Sequence, residues 1–377
     1  MSTAEREPVA RKPKRRRSQF RMRAVRLLSR VCPIPCSRLA ARMQRGREQR
    51  EAAEAIEKLG GLVITGPPRP AWLRALFGDD FFTTVTFVWF YGRVTDAALK
   101  HLEGLGQLNT LHLHGTRVTD AGLAHLNELT HLESLSLNNT QITDRALEQF
   151  KALTQLKTLV LHDTQVTDAG LAHLKGLTRL ESLWLHNTRI TDRGLEQFRA
   201  LTELKTLDVY GTLITDAGLE HLKGLTHLKR LWLNDNQITD AGLSHLKGLS
   251  ELQCLYLDNT QVTDAGLDHL KGLSGLQCLY LNNTQVTNAG LERLMRLNHI
   301  RGLALAGTQV TDAGVERLMA MNELNFLNLA NTQVTDAGLM HLRGFGQLTR
   351  LLLGGTQATD EGVRNLQQAL SKCKIER

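Results

Sequence analysis

The dipeptide Thr-Asp returns every 24 residues through most of this chain, and no other feature constrains the fold so tightly. It stands at Thr95, Thr119, Thr143, Thr167, Thr191, Thr215, Thr239, Thr263, Thr311, Thr335 and Thr359. Thr287 keeps the step, with Asn288 in place of the aspartate. Twelve units at this spacing, without an insertion, exclude an ordinary globular domain, whose elements vary in length. They point to equal structural units stacked in one direction.

One unit shows what is stacked. Leu111, His112 and Leu113 alternate apolar and polar, as a short strand does. After Asp120 the apolar spacing lengthens to three, through Leu123, Leu126 and Leu129, which is one side of a short helix. Thr119 is a suitable N-cap, and Asp120 puts a carboxylate at the positive end of the helix. A single unit cannot bury both of its apolar faces. Stacked units can, with their strands in a parallel ladder about 4.8 Å apart.

Composition separates the body from its beginning. Residues 1–50 carry 16 Lys and Arg against 3 Asp and Glu, whereas the rest of the 377-residue chain carries 30 against 35. A hydrophobic content of 42% is enough for a large core and excludes wholesale disorder. Five cysteines exclude a disulfide scaffold. Residues 1–47 are expected to be a disordered basic tail, because clustered like charges repel one another. The block Arg11, Lys12, Lys14–Arg17 could meet an anionic membrane or nucleic acid, with residues 11–30 as the contact. Charged residues and prolines interrupt every apolar run there, so neither a signal peptide nor a spanning helix is expected, and a cytoplasmic location is. Residues 48–83 are expected to form a helical N-terminal cap, with a helix over Glu48–Leu59. Phe81, Phe82, Phe87, Trp89, Phe90 and Tyr91 are expected to seal the first rung. Residues 84–358 form the repeat array, and 359–377 the last helix and a C-terminal cap whose polar strand discourages end-to-end stacking.

The frame Leu-x-x-Leu-x-Leu-x-x-Thr, with Val-Thr-Asp-Ala-Gly-Leu after it, resembles the 24-residue variant of the leucine-rich repeat. The likeness covers residues 84–377. In its details, including Gln49–Gly61 and Leu366–Arg377, the chain is similar to leucine-rich repeat proteins abundant in planctomycete-type bacteria. The resemblance implies an α/β fold, a right-handed solenoid (horseshoe) of about twelve rungs. Its parallel sheet would line the concave face and its short helices the convex one. The family's usual Asn after the strand is mostly Thr here, from Thr116 onward, with Asn236 an exception.

No nucleophile elbow, phosphate loop or calcium loop is present in the sequence, so an enzyme is not expected, nor is a cofactor. The histidines at 101, 125, 173, 221, 245, 269 and 341 share one helical position with Gln and Arg, which marks a solvated face. His162 and His186 lie on neighbouring rungs with Asp163 beside them. Two nitrogens and a carboxylate could hold zinc, but no group to orient them is visible in the sequence, and no metal site is assigned. Cys254 and Cys278 are expected to be free packing residues.

The remaining candidate is the strand face. Five of the eight Trp and Tyr residues fall on it in rungs five to nine. Trp184, Tyr210, Trp232, Tyr256 and Tyr280, with Asp208, Asp235 and Asp258 among them, are assigned as the partner-binding residues. Aromatic anchors flanked by charge have the composition of interface hot spots, although a stacked column also stabilises neighbouring strands. The function expected is noncovalent recognition of a protein or peptide by a monomeric scaffold. The alternatives are an F-box-like adaptor for ubiquitin ligation, which residues 1–47 do not support, and anion binding through the basic tail.

Overall fold

The computed structural model describes residues 36–66, 83–297 and 299–377. The basic block at residues 11–30 and the aromatic pair Phe81 and Phe82 lie outside the described residues. The chain divides into two compact units, residues 1–88 and 89–377.

In the first unit, helix α1 spans Cys36–Lys58 and is followed by strands β1 (Leu62–Thr65) and β2 (Val85–Trp89). The helix begins twelve residues before the expected start at Glu48, so residues 36–47 are not irregular tail. Arg, Ala, Met, Gln and Glu are all good helix formers, and Pro35 is the last proline before residue 67. Local pairs support the exposed side: Gln44 Nε2 donates to Glu48 at 2.9 Å, and Arg50 reaches Glu54 at 3.1 Å. Gly46, Gln49, Ala53 and Ile56 form the buried stripe. Gln49 Oε1 accepts the Val85 backbone N–H at 2.9 Å, which fixes the helix against β2. The helix ends at Gly60, whose φ of 83° suits a residue without Cβ. Gly61 N–H then donates to the Ile56 carbonyl. Among the described residues, no helix is long and apolar enough to cross a membrane.

The second unit carries twelve three-residue strands, all parallel and adjacent in chain order. They are β3 (Thr110–His112), β4 (Ser134–Ser136), β5 (Thr158–Val160), β6 (Ser182–Trp184), β7 (Thr206–Asp208) and β8 (Arg230–Trp232). They continue as β9 (Cys254–Tyr256), β10 (Cys278–Tyr280), β11 (Gly302–Ala304), β12 (Phe326–Asn328), β13 (Arg350–Leu352) and β14 (Lys374–Glu376). Register follows the sequence period: Leu111 pairs with Leu135, Leu135 with Leu159, and so on to Leu351 with Ile375. The terminal strand therefore occupies the same column as the repeats. In one rung, Leu159, Leu161, Val166, Leu171, Leu177 and Leu180 have no exposed surface. The opposite side of most rungs up to residue 246 is one α-helical turn followed by a tight 3-10 turn, such as Asp168–Leu171 and then Ala172–Gly176, and from Asn288 on it is a single longer α-helix. These features make the unit an open parallel-sheet solenoid.

The Thr-Asp dipeptide is a clasp between rungs. Asp168 Oδ1 accepts the Thr191 backbone N–H at 2.8 Å, and its Oδ2 accepts the Thr191 hydroxyl at 2.6 Å. The same two bonds join Asp96 to Thr119, Asp192 to Thr215 and Asp336 to Thr359. Thr191 Oγ1 in turn accepts the Arg193 N–H and caps its own helix turn. The Gly two residues after the aspartate makes room for this clasp. A Cβ on Gly218 would come within 2.4 Å of Asp192 Oδ1.

Two further columns have local causes. The residue before the recurring threonine, or before Asn236, has positive φ in every rung from Gly115 to Gly355, and it is always Gly, Asn or Asp. These are the residues that tolerate a left-handed backbone. The threonine itself, such as Thr164, donates its hydroxyl to the carbonyl three residues back, here Leu161 at 2.5 Å. Asn236 does more in that place. It donates to the Val209 and Leu233 carbonyls and accepts from Thr212 and Ile214, so it ties two rungs together.

Candidate functional site

Because the strands are parallel and in register, side chains 24 residues apart stand beside each other at the rung spacing. Trp232 and Tyr256 stack at 4.7 Å with their planes 6° apart, and Tyr256 and Tyr280 at 4.5 Å. The row also crosses rungs that carry no ring. Trp184 and Trp232 meet at 5.2 Å over Asp208, and Tyr280 approaches Phe326 at 6.1 Å past Gly302 and Ala304. In both cases the intervening rung offers a short side chain or none, and the rings lean into the space. Trp184, Trp232, Tyr256, Tyr280 and Phe326 are each half-buried. Their stacked faces cover one another, and the remaining surface is a strip of ring edges. Burial raises the Tyr256 and Tyr280 hydroxyls above the usual phenol value, so both are neutral donors. The sequence column of the other rings does not contain Phe326, which lies two residues before the column position Asn328 and so on the same face of the strand.

The three aspartates do not form one group. Asp208 is only 5% exposed, which corrects the expectation that it is an anion available to a partner. Its Oδ2 lies 2.7 Å from His186 Nδ1, and its Oδ1 accepts the Tyr210 N–H at 3.0 Å. Alternation along the strand does point it away from the leucines, but His186 and Tyr210 from the flanking positions close over it. Asp258 is half-buried and accepts from Asn282 N–H at 2.8 Å and Asn234 Nδ2 at 3.2 Å. Burial raises its pKa, and the Asn282 bond offsets part of that rise. Asp235 is exposed and sits at a left-handed turn position with φ of 53°. Its charge, together with a side-chain hydrogen bond, raises the Tyr210 hydroxyl. Tyr210 is 36% exposed at the edge of the row.

A second aromatic group lies at the first rungs. Trp89 contacts Tyr91 at 5.5 Å and His114 at 5.4 Å. Phe90 is fully buried, whereas Tyr91 is 51% exposed, so the described aromatics there are divided between core and surface rather than forming one lid. On the helix side, His125 and His173 pair with Glu103 and Glu148 of the preceding rung at 2.6 and 3.8 Å. Cys254 and Cys278 are free and adjacent in register. A hydrogen bond from Cys278 and the charge of Arg230 lower the Cys254 thiol to about 7, against the effect of burial.

Profiles of two leucine-rich repeat families match within the array. One describes two-copy repeats and matches residues 154–192, 202–248 and 226–272; the other, a single repeat, matches residues 128–150. The chain is a leucine-rich repeat protein. No curated protein matches this leucine-rich repeat protein in sequence. Among solved structures it is similar to an internalin from Listeria monocytogenes, at 24% identity and a TM-score of 0.60, over 81% of this chain and 92% of that one. It is also similar to a leucine-rich repeat protein of Leptospira interrogans, at 20% identity and a TM-score of 0.54, over 74% of each chain. At such identities the likeness concerns the fold. Leucine-rich repeat solenoids serve as scaffolds for protein–protein interaction, through the extended surface that stacking creates.

Proposed function

We propose that this leucine-rich repeat protein binds a protein or peptide on its strand face, with the row Trp184–Trp232–Tyr256–Tyr280–Phe326 as the anchor. The observation that carries this reading is the row itself: five large rings at the solvent face of a sheet whose core is otherwise leucine. Stacking alone would stabilise the strands equally well with rings placed anywhere along the array. Their concentration between β6 and β12, with exposed Asp235 and half-buried Asp258 beside them, has the composition of a hot spot and its rim. The carboxylates favour segments carrying Arg or Lys, and the ring edges offer apolar area to the residues beside them. The repeated clasps hold the surface rigid before the partner arrives, so little ordering entropy is lost on binding.

The test is a displayed peptide library selected on the full chain. Selected peptides should bind the Trp232→Ala/Tyr256→Ala double variant at least tenfold more weakly, with that variant still folded by circular dichroism. They should bind a helix-side variant, Met319→Ala, as they bind the wild type. Equal binding to wild type and the double variant would refute the assignment.

A further inference from the structure

A second constellation lies on the same face at β5 and β6, and it is independent of the aromatic row's role. The imidazoles of His162 and His186 stack at 3.8 Å, their planes 17° apart. Asp163 Oδ2 is 2.8 Å from His162 Nδ1 and 4.0 Å from His186 Nε2. One ligand atom from each of the three residues lies within 4.8 Å of the other two. In a tetrahedral zinc site, bonds of about 2.0–2.1 Å place the ligand atoms about 3.3 Å apart. The two Asp163 distances fall either side of that value, and rotation of the stacked imidazoles out of parallel brings both in-plane lone pairs to one ion.

The groups behind these atoms distinguish the cluster from a chance meeting. A metal-binding imidazole needs its other nitrogen held, commonly by a carboxylate, so that the free lone pair faces the ion. His186 Nδ1 is held by the buried carboxylate of Asp208 at 2.7 Å, which turns Nε2 toward Asp163. Asp163 is held as well: its Oδ1 accepts from Asn187 Nδ2 at 3.0 Å, leaving Oδ2 for the cluster. The left-handed turn position is satisfied by Asn at 139 and 187, so the backbone alone does not require a carboxylate at 163. Asp208, which faces no solvent, also acquires a role in this arrangement.

We infer that His162, Asp163 and His186 form a site for a late first-row divalent cation, zinc above all, oriented by Asp208 and Asn187 and open to solvent at its fourth position. Two imidazoles and one carboxylate select zinc, copper, nickel or cobalt over magnesium. His162 accepts the ion at the expense of its hydrogen bond to Asp163, the ion replacing the shared proton between nitrogen and oxygen.

The experiment uses the full chain, stripped with a chelator and titrated calorimetrically with zinc chloride and, separately, magnesium chloride. The variants are substitutions that the array already makes at equivalent positions: Asp163→Asn, as at Asn139, and His186→Asn, as at Asn138 and Asn234. They keep the fold and remove a ligand. The wild type is expected to take up one more zinc equivalent than either variant and none of magnesium. Asp208→Asn should keep that equivalent but bind it 10- to 100-fold more weakly. Zinc uptake by the wild type that matches Asp163→Asn in both stoichiometry and affinity, or no uptake, would overturn the site.

Discussion

At the scale of single residues, Asn288 is the weak member of the clasp series. Its Oδ1 accepts the Thr311 N–H at 3.0 Å, but its Nδ2 donates to the Thr311 hydroxyl, reversing the direction found at every aspartate. Thr311 also lacks a bond to the helix turn that follows, which its neighbours Thr287 and Thr335 retain. Asn288→Asp should restore a charged acceptor and the cap together, raising stability by about 1 kcal/mol. A shift of the urea midpoint to higher concentration, with the slope unchanged, is the expected result. The threonine and aspartate were legible in the sequence as an N-cap and a dipole partner; their bonds to the next rung were not. A single unit read in isolation cannot show what its neighbour donates. The same blindness affected Asp208. Its strand position pointed outward, while the residues that cover it, His186 and Tyr210, come from an adjacent rung and from two positions on.

At the scale of elements, the aromatic row belongs to the strands as much as to any ligand. Trp232 has a ring neighbour on each side, Trp184 and Tyr256, whereas Trp184 contacts Trp232 as its one aromatic neighbour among the described residues. Trp232→Ala should therefore cost more than Trp184→Ala, about 1–3 kcal/mol against about 1 kcal/mol, when compared by chemical denaturation. Equal costs would mean that the stack contributes little. Five of the assigned residues stood in a readable column because parallel register turns the period into adjacency. Phe326 escaped because it joins from a different strand position, made reachable by Gly302 and Ala304. Helix α1 shows the opposite error. The charge of its N-terminal half predicts an irregular segment, yet the arginines there are helix formers. The buried stripe Gly46–Gln49–Ala53–Ile56 runs on one side of them, with spacings of three and four.

At the scale of the whole molecule, the architecture was legible because it is one instruction repeated. The 24-residue step fixed the register of β3 to β14 in advance, down to Ile375 in the leucine column. What the repeat cannot encode is where it is broken. Those places are the rings, the His162–Asp163–His186 cluster and Asn236, each a departure from the consensus on a rung that still satisfies every leucine position. Such departures are tolerated because a rung touches only its neighbours, so a changed outward residue leaves the rest of the stack in place. The measurement that tests this account most directly is deletion of residues 239–262, one full period, against deletion of 239–250, half of one. The full-period deletion should refold with a cooperative thermal transition and bring Trp232 beside Tyr280, because the leucine columns and clasps close in the same register. The half-period deletion should lose that transition, since it sets strand against helix in the stack. Equal behaviour of the two proteins, both folded or both unfolded, would contradict a solenoid held by 24-residue register.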